Sequence, residues 1–145
     1  MKVFFDTSVL VASVVEQHGD HARAFAVLER VQNGKDEGVI SAHSLAETYA
    51  ILTKLPAPFR HSPEQALLSI EENILKYFKT SSLSGSDYAS LLREAAAARI
   101  QGGTIYDAVL MKSAAKENVG RIFTLNLKHF QAVAPRELAG ILSAP

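Results

Sequence analysis

Short apolar runs alternate with amphipathic stretches along the chain, and this alternation predicts a protein built from strand–helix units. Apolar runs at residues 3–5, 39–40, 78–81 and 121–125 predict strands. Apolar residues at helical spacing predict helices starting near residue 7 and covering about 22–31, 43–55, 63–75, 87–100 and 104–118. Because strands and helices alternate, we expect a mainly parallel central sheet with right-handed crossovers and helices on both faces.

Capping and turn residues indicate where several helices begin. Ser62-Pro63 has the pattern of an N-cap followed by proline at the first helical position. Thr7-Ser8 offers N-cap chemistry for the first helix, and Thr104 is expected to cap a later helix after Gly102-Gly103. No linker, repeat or low-complexity segment interrupts the series, so we expect a single domain covering residues 1–145.

Composition narrows the classes of protein and of site. The hydrophobic content of 48% in 145 residues is sufficient for a core, and the formal net charge of zero removes the simplest argument for nucleic-acid binding. Cysteine is absent, so a metal ion would have to be held by oxygen or imidazole ligands. Without a long apolar run or a signal-peptide pattern, the chain is expected to be soluble, unprocessed and cytoplasmic, with no membrane partner.

Four polar residues lie where a predicted strand meets a helix, or in the helix that follows: Asp6, Glu47, Asp107 and Asn126. In a parallel α/β sheet such positions gather at the edge formed by the carboxyl ends of the strands, where ligands bind. Carboxylates gathered at one place repel one another unless a cation lies between them. The pattern therefore favours a site for a hard divalent cation.

Each of these residues also has a purely structural interpretation. Asp6 has the position of a helix N-cap, and Asp107 has that of a capping-box residue with Thr104 as the cap. Glu47 shares a helical strip with His43 and Lys54 that is compatible with a solvated face, and Asn126 is compatible with a turn former at the end of a strand. Asp107 gives the strongest functional signal, because it shares a helix face with apolar residues and a carboxylate there is costly to bury unpaired.

Several other kinds of site are excluded by their missing motifs. The sequence has neither the phosphate-binding loop nor the dinucleotide-binding glycine pattern, and Gly102-Gly103-Thr104 matches neither. It also lacks the Gly-x-Ser-x-Gly elbow of serine hydrolases and any histidine spacing typical of zinc sites.

Taken together, the motifs resemble the PIN-domain ribonucleases, and within them the VapC-type toxins of toxin–antitoxin pairs. The resemblance spans nearly the whole chain and rests on four segments in order: Phe5-Asp6-Thr7-Ser8-Val9-Leu10, Ser44-Leu45-Ala46-Glu47, Tyr106-Asp107-Ala108, and Thr124-Leu125-Asn126-Leu127-Lys128-His129-Phe130. It implies a three-layer α/β/α sandwich and a metal-dependent endoribonuclease that acts as a toxin.

The resemblance also implies roles for individual residues. The metal-binding acids of the family fall on Asp6 and Asp107, with Glu47 as the third acid of the pocket, and Asn126 matches a fourth position filled by Asp or Asn. The expected cofactor is Mg²⁺, with Mn²⁺ as a substitute. His129 lies where many relatives have an acid. Hydroxyl groups expected to orient the carboxylates or the substrate are those of Thr7, Ser8, Thr104 and Thr124.

The implied partners are RNA as substrate, a cognate antitoxin and a second copy of the chain, in a homodimer or a toxin–antitoxin hetero-oligomer. The apolar surface around Ile51, Leu52 and Leu55 is expected to receive the antitoxin tail. Two alternatives stay open. A phosphatase of the haloacid-dehalogenase type uses a second Asp two residues after the nucleophile, but Ser8 occupies that position. The second alternative is a PIN module that lacks nuclease activity and acts as a scaffold for RNA or protein.

Overall fold

The computed structural model describes all residues, Met1–Pro145, and contains a five-stranded parallel sheet. Its strands lie in the order β3-β2-β1-β4-β5. They are β1 (Lys2–Phe5), β2 (Glu37–Ser41), β3 (Phe78–Ser81), β4 (Arg121–Phe123) and β5 (Leu142–Ser143). The four predicted strands and their parallel arrangement are confirmed. The fifth strand was not predicted, because two residues are too few to show a period.

Helices cover both faces of the sheet, as predicted. They are α1 (Thr7–Val14), α2 (His21–Gln32), α3 (Ala42–Leu52), α4 (Pro63–Ile70), α5 (Gly85–Ala97), α6 (Thr104–Lys116), α7 (Leu127–Val133) and α8 (Arg136–Ala139), with a π-helical turn (Glu71–Leu75) after α4. None of these helices has the length and apolar composition needed to cross a membrane.

The central strand β1 explains why the core has two layers. Val3 and Phe5 point into an apolar cluster with α1, α2, α3 and α4, whereas Phe4 points into a second cluster with α6 and α7. Alternate residues of a strand face opposite sides of a sheet, and here both sides are covered. A strand of this kind is apolar throughout, which is the pattern that residues 3–5 show.

Local capping agrees with the sequence at α4, agrees with one of the two interpretations offered for α1, and differs at α6. Ser62 caps α4 in a capping box with Gln65, as the Ser62-Pro63 pattern predicted. The cap of α1 is Asp6 rather than Thr7 or Ser8, because the Asp6 carboxylate accepts a hydrogen bond from the backbone N–H of Val9. The residue preceding α6 is Gly103, which makes no side-chain cap.

Three expectations about the helices α6 and α3 are wrong. Thr104 is the first residue of α6 rather than its cap, so the capping-box interpretation of Asp107 does not hold. Helix α3 ends at Leu52, three residues earlier than expected, and Lys54 falls outside it. Leu52 is buried, so it belongs to the core and not to an exposed docking surface.

The strand order places a topological switch point at the carboxyl end of β1. From β1 the chain builds the sheet through β2 to β3 on one side and later adds β4 on the other side. A crevice forms at such a point because the connections leave in opposite directions, and ligands bind there in open α/β sheets. Asp6 directly follows β1, and Thr124 directly follows β4.

Candidate active site

Asp6 is a buried carboxylate fixed by three donors at the switch point. Its Oδ1 accepts hydrogen bonds from Ser8 Oγ at 2.6 Å and from the Val9 N–H at 3.1 Å, and its Oδ2 accepts one from Thr124 Oγ1 at 2.6 Å. The residue is only 2% exposed. Burial raises the pKa of Asp6 above its ordinary value, and the hydrogen bonds from Ser8 and Thr124 act in the opposite direction.

These contacts leave Asp6 with one free acceptor position. A carboxylate oxygen can accept about two hydrogen bonds or ligand bonds. Oδ1 already has two donors, whereas Oδ2 has only Thr124. The structural interpretation of Asp6 as a helix cap is therefore correct for Oδ1, and Oδ2 keeps one acceptor position that no donor of the protein fills.

The same hydroxyls connect the start of α1 to the segment that follows β4. Ser8 Oγ accepts a hydrogen bond from the N–H of Leu125 at 3.1 Å, and Thr124 Oγ1 accepts one from the N–H of Asn126 at 2.9 Å. Each hydroxyl thus donates to Asp6 and accepts from a backbone N–H of the segment after β4, which is the opposite segment for Ser8 and its own segment for Thr124. This arrangement fixes the position of Asn126 relative to Asp6.

Glu47 lies one helical turn into α3 and is oriented by two polar neighbours. Thr7 Oγ1 lies 3.0 Å from Glu47 Oε1 and 3.1 Å from Ser44 Oγ. A hydroxyl group has one proton, so it donates to the carboxylate, which can only accept. His43 Nε2 lies 3.3 Å from the same Oε1. The Glu47 side chain is 35% exposed, and both contacts leave its Oε2 open.

Asp107 lies near the start of α6, at the edge formed by the carboxyl ends of the strands. Its side chain is 26% exposed, and Nδ1 of the exposed His129 lies 3.7 Å from its Oδ2, a contact that is an ion pair only when the imidazole is protonated. Burial raises the pKa of Asp107, and the proximity of His129 acts in the opposite direction. Asp107 is therefore a partly desolvated carboxylate with a weak partner, which agrees with the functional signal seen in the sequence.

The remaining predicted site residues are Asn126 and the four residues with hydroxyl groups. Asn126 is exposed and precedes α7, but its side chain makes no capping hydrogen bond, so the amide oxygen is free. Of the four predicted hydroxyls, those of Thr7, Ser8 and Thr124 contact the acids. The hydroxyl of Thr104 contacts none of the three acids, which have other partners.

The oxygen donors fit a hydrated magnesium ion better than an ion enclosed by protein. No three histidine or acidic side chains lie close enough together to hold an ion by themselves. Mg²⁺ keeps several waters and is commonly held by one or two carboxylates together with substrate phosphate. The free position on Asp6 Oδ2 and the weakly paired Asp107 supply donors of this kind.

Two residues that the sequence did not identify as site residues also lie here. His43 pairs with Glu47, and its ring stacks on that of Tyr106 with the centroids 5.3 Å apart and the planes 8° from parallel. The spacing of four residues between His43 and Glu47 was visible in the sequence as a shared helical strip. Nothing in the sequence predicts the contact between His43 and Tyr106, because these residues belong to two different helices, α3 and α6.

Comparison with protein families gives a match to the PIN domain over residues 3–134. Among curated proteins, Ribonuclease VapC27 of Mycobacterium tuberculosis is 33% identical over 111 residues, which are 77% of this chain and 75% of that protein. Ribonuclease VapC40 of the same species is 32% identical over 124 residues, which are 85% of each chain.

Solved structures show the same fold. Mycobacterium tuberculosis VapC20, described as a toxin that cleaves the sarcin–ricin loop, superposes with a TM-score of 0.69 at 15% identity, covering 92% of this chain and 96% of that one. A chain of VapBC2 from Rickettsia felis, bound to a DNA fragment from its promoter, gives a TM-score of 0.67 at 20% identity, covering 100% and 99%. At these identities the likeness establishes the fold alone.

Proposed function

Because this chain belongs to the PIN-domain family, and within it to the VapC-type ribonucleases, we propose that it is a metal-dependent endoribonuclease and the toxin of a toxin–antitoxin pair. The observation that carries the proposal is the state of Asp6 at the switch point. This carboxylate is buried and held by three donors, and it keeps one acceptor position on Oδ2. The hydrogen bond from Thr124 satisfies the buried Oδ2 and fixes the orientation of the carboxylate at the carboxyl ends of β1 and β4.

In this proposal Asp6 and Asp107 hold Mg²⁺, with Mn²⁺ as a substitute. Glu47 is the third acid, and the amide oxygen of Asn126 lies at the margin of the site. When bound, the metal lowers the pKa of an attacking water, positions the scissile phosphate and stabilises the leaving oxygen. The zero net charge of the chain is compatible with this role, because the contact with the phosphate is made locally.

The residues of the chain have distinct tasks around that centre. Ser8 and Thr124 hold Asp6 in one orientation, so its free oxygen position does not have to be ordered when the substrate arrives. Thr7 and His43 both contact Oε1 of Glu47, and Oε2 has no partner in the protein. Glu47 Oε2 can then accept a hydrogen bond from the attacking water and orient it.

Partners follow from the same family membership. Structures with this fold include VapBC assemblies from Rickettsia felis and Haemophilus influenzae, which supports a cognate antitoxin as partner. RNA is the proposed substrate because the curated relatives are ribonucleases. We also propose self-association, as a homodimer or within a toxin–antitoxin hetero-oligomer.

The deciding experiment measures cleavage of single-stranded RNA by the purified chain with Mg²⁺, with Mn²⁺ and with excess chelator. Cleavage should require the metal and should be lost in Asp6→Asn and Asp107→Asn, since each change removes a charge with little change of shape. Glu29→Gln, at an exposed acid of α2, is the matched control and should cleave normally. RNA cleavage in excess chelator would refute the role of the metal. Absence of cleavage with every metal would favour the scaffold alternative.

A further inference from the structure

Tyr106 is an exposed aromatic residue at the rim of the candidate active site. It is 53% exposed although it lies in the first turn of α6, and it belongs to none of the three apolar clusters of the core. Its position in the sequence is directly before Asp107. All four tyrosines of the chain are exposed, but Tyr106 is the most exposed of them and the one that directly precedes a candidate acid.

The ring of His43 covers one face of the Tyr106 ring. His43 stacks against it at a centroid distance of 5.3 Å and an interplanar angle of 8°. Half of the residue is still exposed, and no second aromatic ring of the protein stacks on it. Gly102 and Gly103, which precede α6, have no side chains that could cover the ring.

The pair of rings is also fixed relative to the acids. His43 Nε2 lies 3.3 Å from Oε1 of Glu47, which in turn lies 3.0 Å from the hydroxyl of Thr7. Tyr106 is covalently next to Asp107 in a regular helix. The rings therefore form a rigid surface whose place relative to the proposed scissile phosphate is set by α3 and α6 together.

We propose that Tyr106, supported by His43, is a platform on which one base of single-stranded RNA stacks beside the scissile phosphate. This inference rests on the proposed ribonuclease function. Bases of single-stranded RNA are recognised largely by stacking on aromatic side chains, and such stacking tolerates any base because each has a π face. The platform thus positions the substrate without selecting a sequence, and it supplies affinity that a chain of zero net charge does not obtain from long-range attraction.

The test compares variants that keep or remove the ring. Tyr106→Ala should weaken binding of a single-stranded RNA oligonucleotide by about 5-fold to 100-fold, and Tyr106→Phe should restore most of that affinity relative to the alanine variant. Tyr106→Leu, which keeps apolar bulk without a π face, should resemble alanine. Binding is measured by fluorescence anisotropy in an Asp107→Asn background, so that the RNA stays intact. In the active protein the loss should appear in KM more than in kcat.

Tyr88→Ala is the matched control, since Tyr88 is also an exposed tyrosine. It lies near the opposite end of α6 from Tyr106, because its neighbour Asp87 pairs with Lys116 in the last turn of that helix. This variant should bind RNA like the unmodified background. Circular dichroism and thermal melting of every variant show whether a loss of affinity is caused by unfolding.

An abasic substitution scanned along the oligonucleotide identifies the stacked base. At one position near the cleavage site, removing the base should weaken binding to the parent protein but not to the Tyr106→Ala variant, because both changes remove the same contact. Additive losses at every position would overturn the platform. So would unchanged RNA affinity in Tyr106→Ala, including the case in which this variant loses affinity only for the antitoxin. In each of these cases RNA cleavage by the parent protein would still support the proposed function, whereas a parent protein that neither binds nor cleaves RNA would refute both.

Discussion

The Thr124 hydroxyl donates a hydrogen bond of 2.6 Å to Oδ2 of Asp6, joining residues that are 118 positions apart in the sequence. Both side chains are buried at the carboxyl ends of the adjacent strands β1 and β4. The bond lies across the switch point, so it links the packing of the sheet to the orientation of the proposed metal ligand. A change at Thr124 should therefore affect both stability and catalysis.

Replacing Thr124 by valine keeps the shape of the side chain but removes this donor. It also leaves the N–H of Asn126 without its acceptor. Loss of a hydrogen bond to a buried charged group should lower the free energy of unfolding by about 1–3 kcal/mol. RNA cleavage should fall as well, because Asp6 is no longer held in one orientation. Urea denaturation and cleavage rates test this, with Thr80→Val on the exposed side of β3 as control. Equal behaviour of the two variants would contradict the role of Thr124.

Asp107→Asn should stabilise the protein in metal-free buffer. Burial raises the pKa of Asp107 in the folded state, so the ionised side chain costs stability at neutral pH. The stability that Asp107→Asn gains over the parent should be complete well above the folded-state pKa of Asp107. It should disappear as the pH falls towards about 4, where the Asp107 carboxyl also takes up its proton in the unfolded state. Thermal melting from pH 3 to pH 8 measures this gain.

Added Mg²⁺ provides a second comparison for the same substitution. A ligand that binds the folded state raises the melting temperature. The parent protein should therefore gain stability from Mg²⁺, and Asp107→Asn should gain much less. If both proteins respond equally to Mg²⁺, then Asp107 does not contribute to its site.

Asp87 gives a pH dependence that is independent of the active site. The backbone N–H of Ser84, followed by the Lys116 ammonium, lowers the pKa of Asp87 to about 2. A depressed pKa means that the charged form stabilises the fold above the unfolded-state pKa of 3.8, and that this contribution is lost as the pH falls through about 2. Asp87→Asn should be less stable than the parent at pH 7 and nearly equal to it near pH 2. A difference that did not change with pH would show that the charge of Asp87 is irrelevant.

Asn126→Asp should strengthen metal binding. The Asn126 side chain is not used as a helix cap, so the change adds a charged oxygen without removing an observed contact of that side chain. Ligand charge helps to set the affinity for hard cations, and Mg²⁺ or Mn²⁺ should therefore bind more tightly by isothermal titration calorimetry. An unchanged affinity would place Asn126 outside the coordination sphere.

The proposed antitoxin should inhibit by placing an Arg or Lys against the acids. Arginine matches carboxylates through its planar guanidinium group, and Glu47 and Asp107 are both partly exposed. Apolar residues of the same tail should pack near the exposed Ile51. Replacing the basic residue of the tail by alanine should restore RNA cleavage in the complex while binding persists. Full inhibition by a tail without basic residues would indicate that it acts by covering the site.

The sequence by itself determined the features that depend on neighbouring residues. The alternation of strands and helices, the cap at Ser62 and the apolar central strand were all readable, because period and capping are local properties. Asp6, Glu47, Asp107 and Asn126 were identifiable as candidates because each lies at a predictable place in a strand–helix unit. The resemblance to PIN-domain ribonucleases came from four short motifs in order, and the family match confirms it.

Tertiary structure alone decided how these residues meet. Asp6 caps α1 through a local contact, but its second oxygen is held by Thr124 because β1 and β4 lie side by side, and no local pattern contains that contact. Thr104 matches the expected hydroxyl position in sequence, yet the start of α6 leaves it away from the acids. His43 and Tyr106 stack because α3 and α6 lie side by side. Such contacts join residues far apart in the chain, so they depend on strand order and helix packing, which local periodicity does not specify.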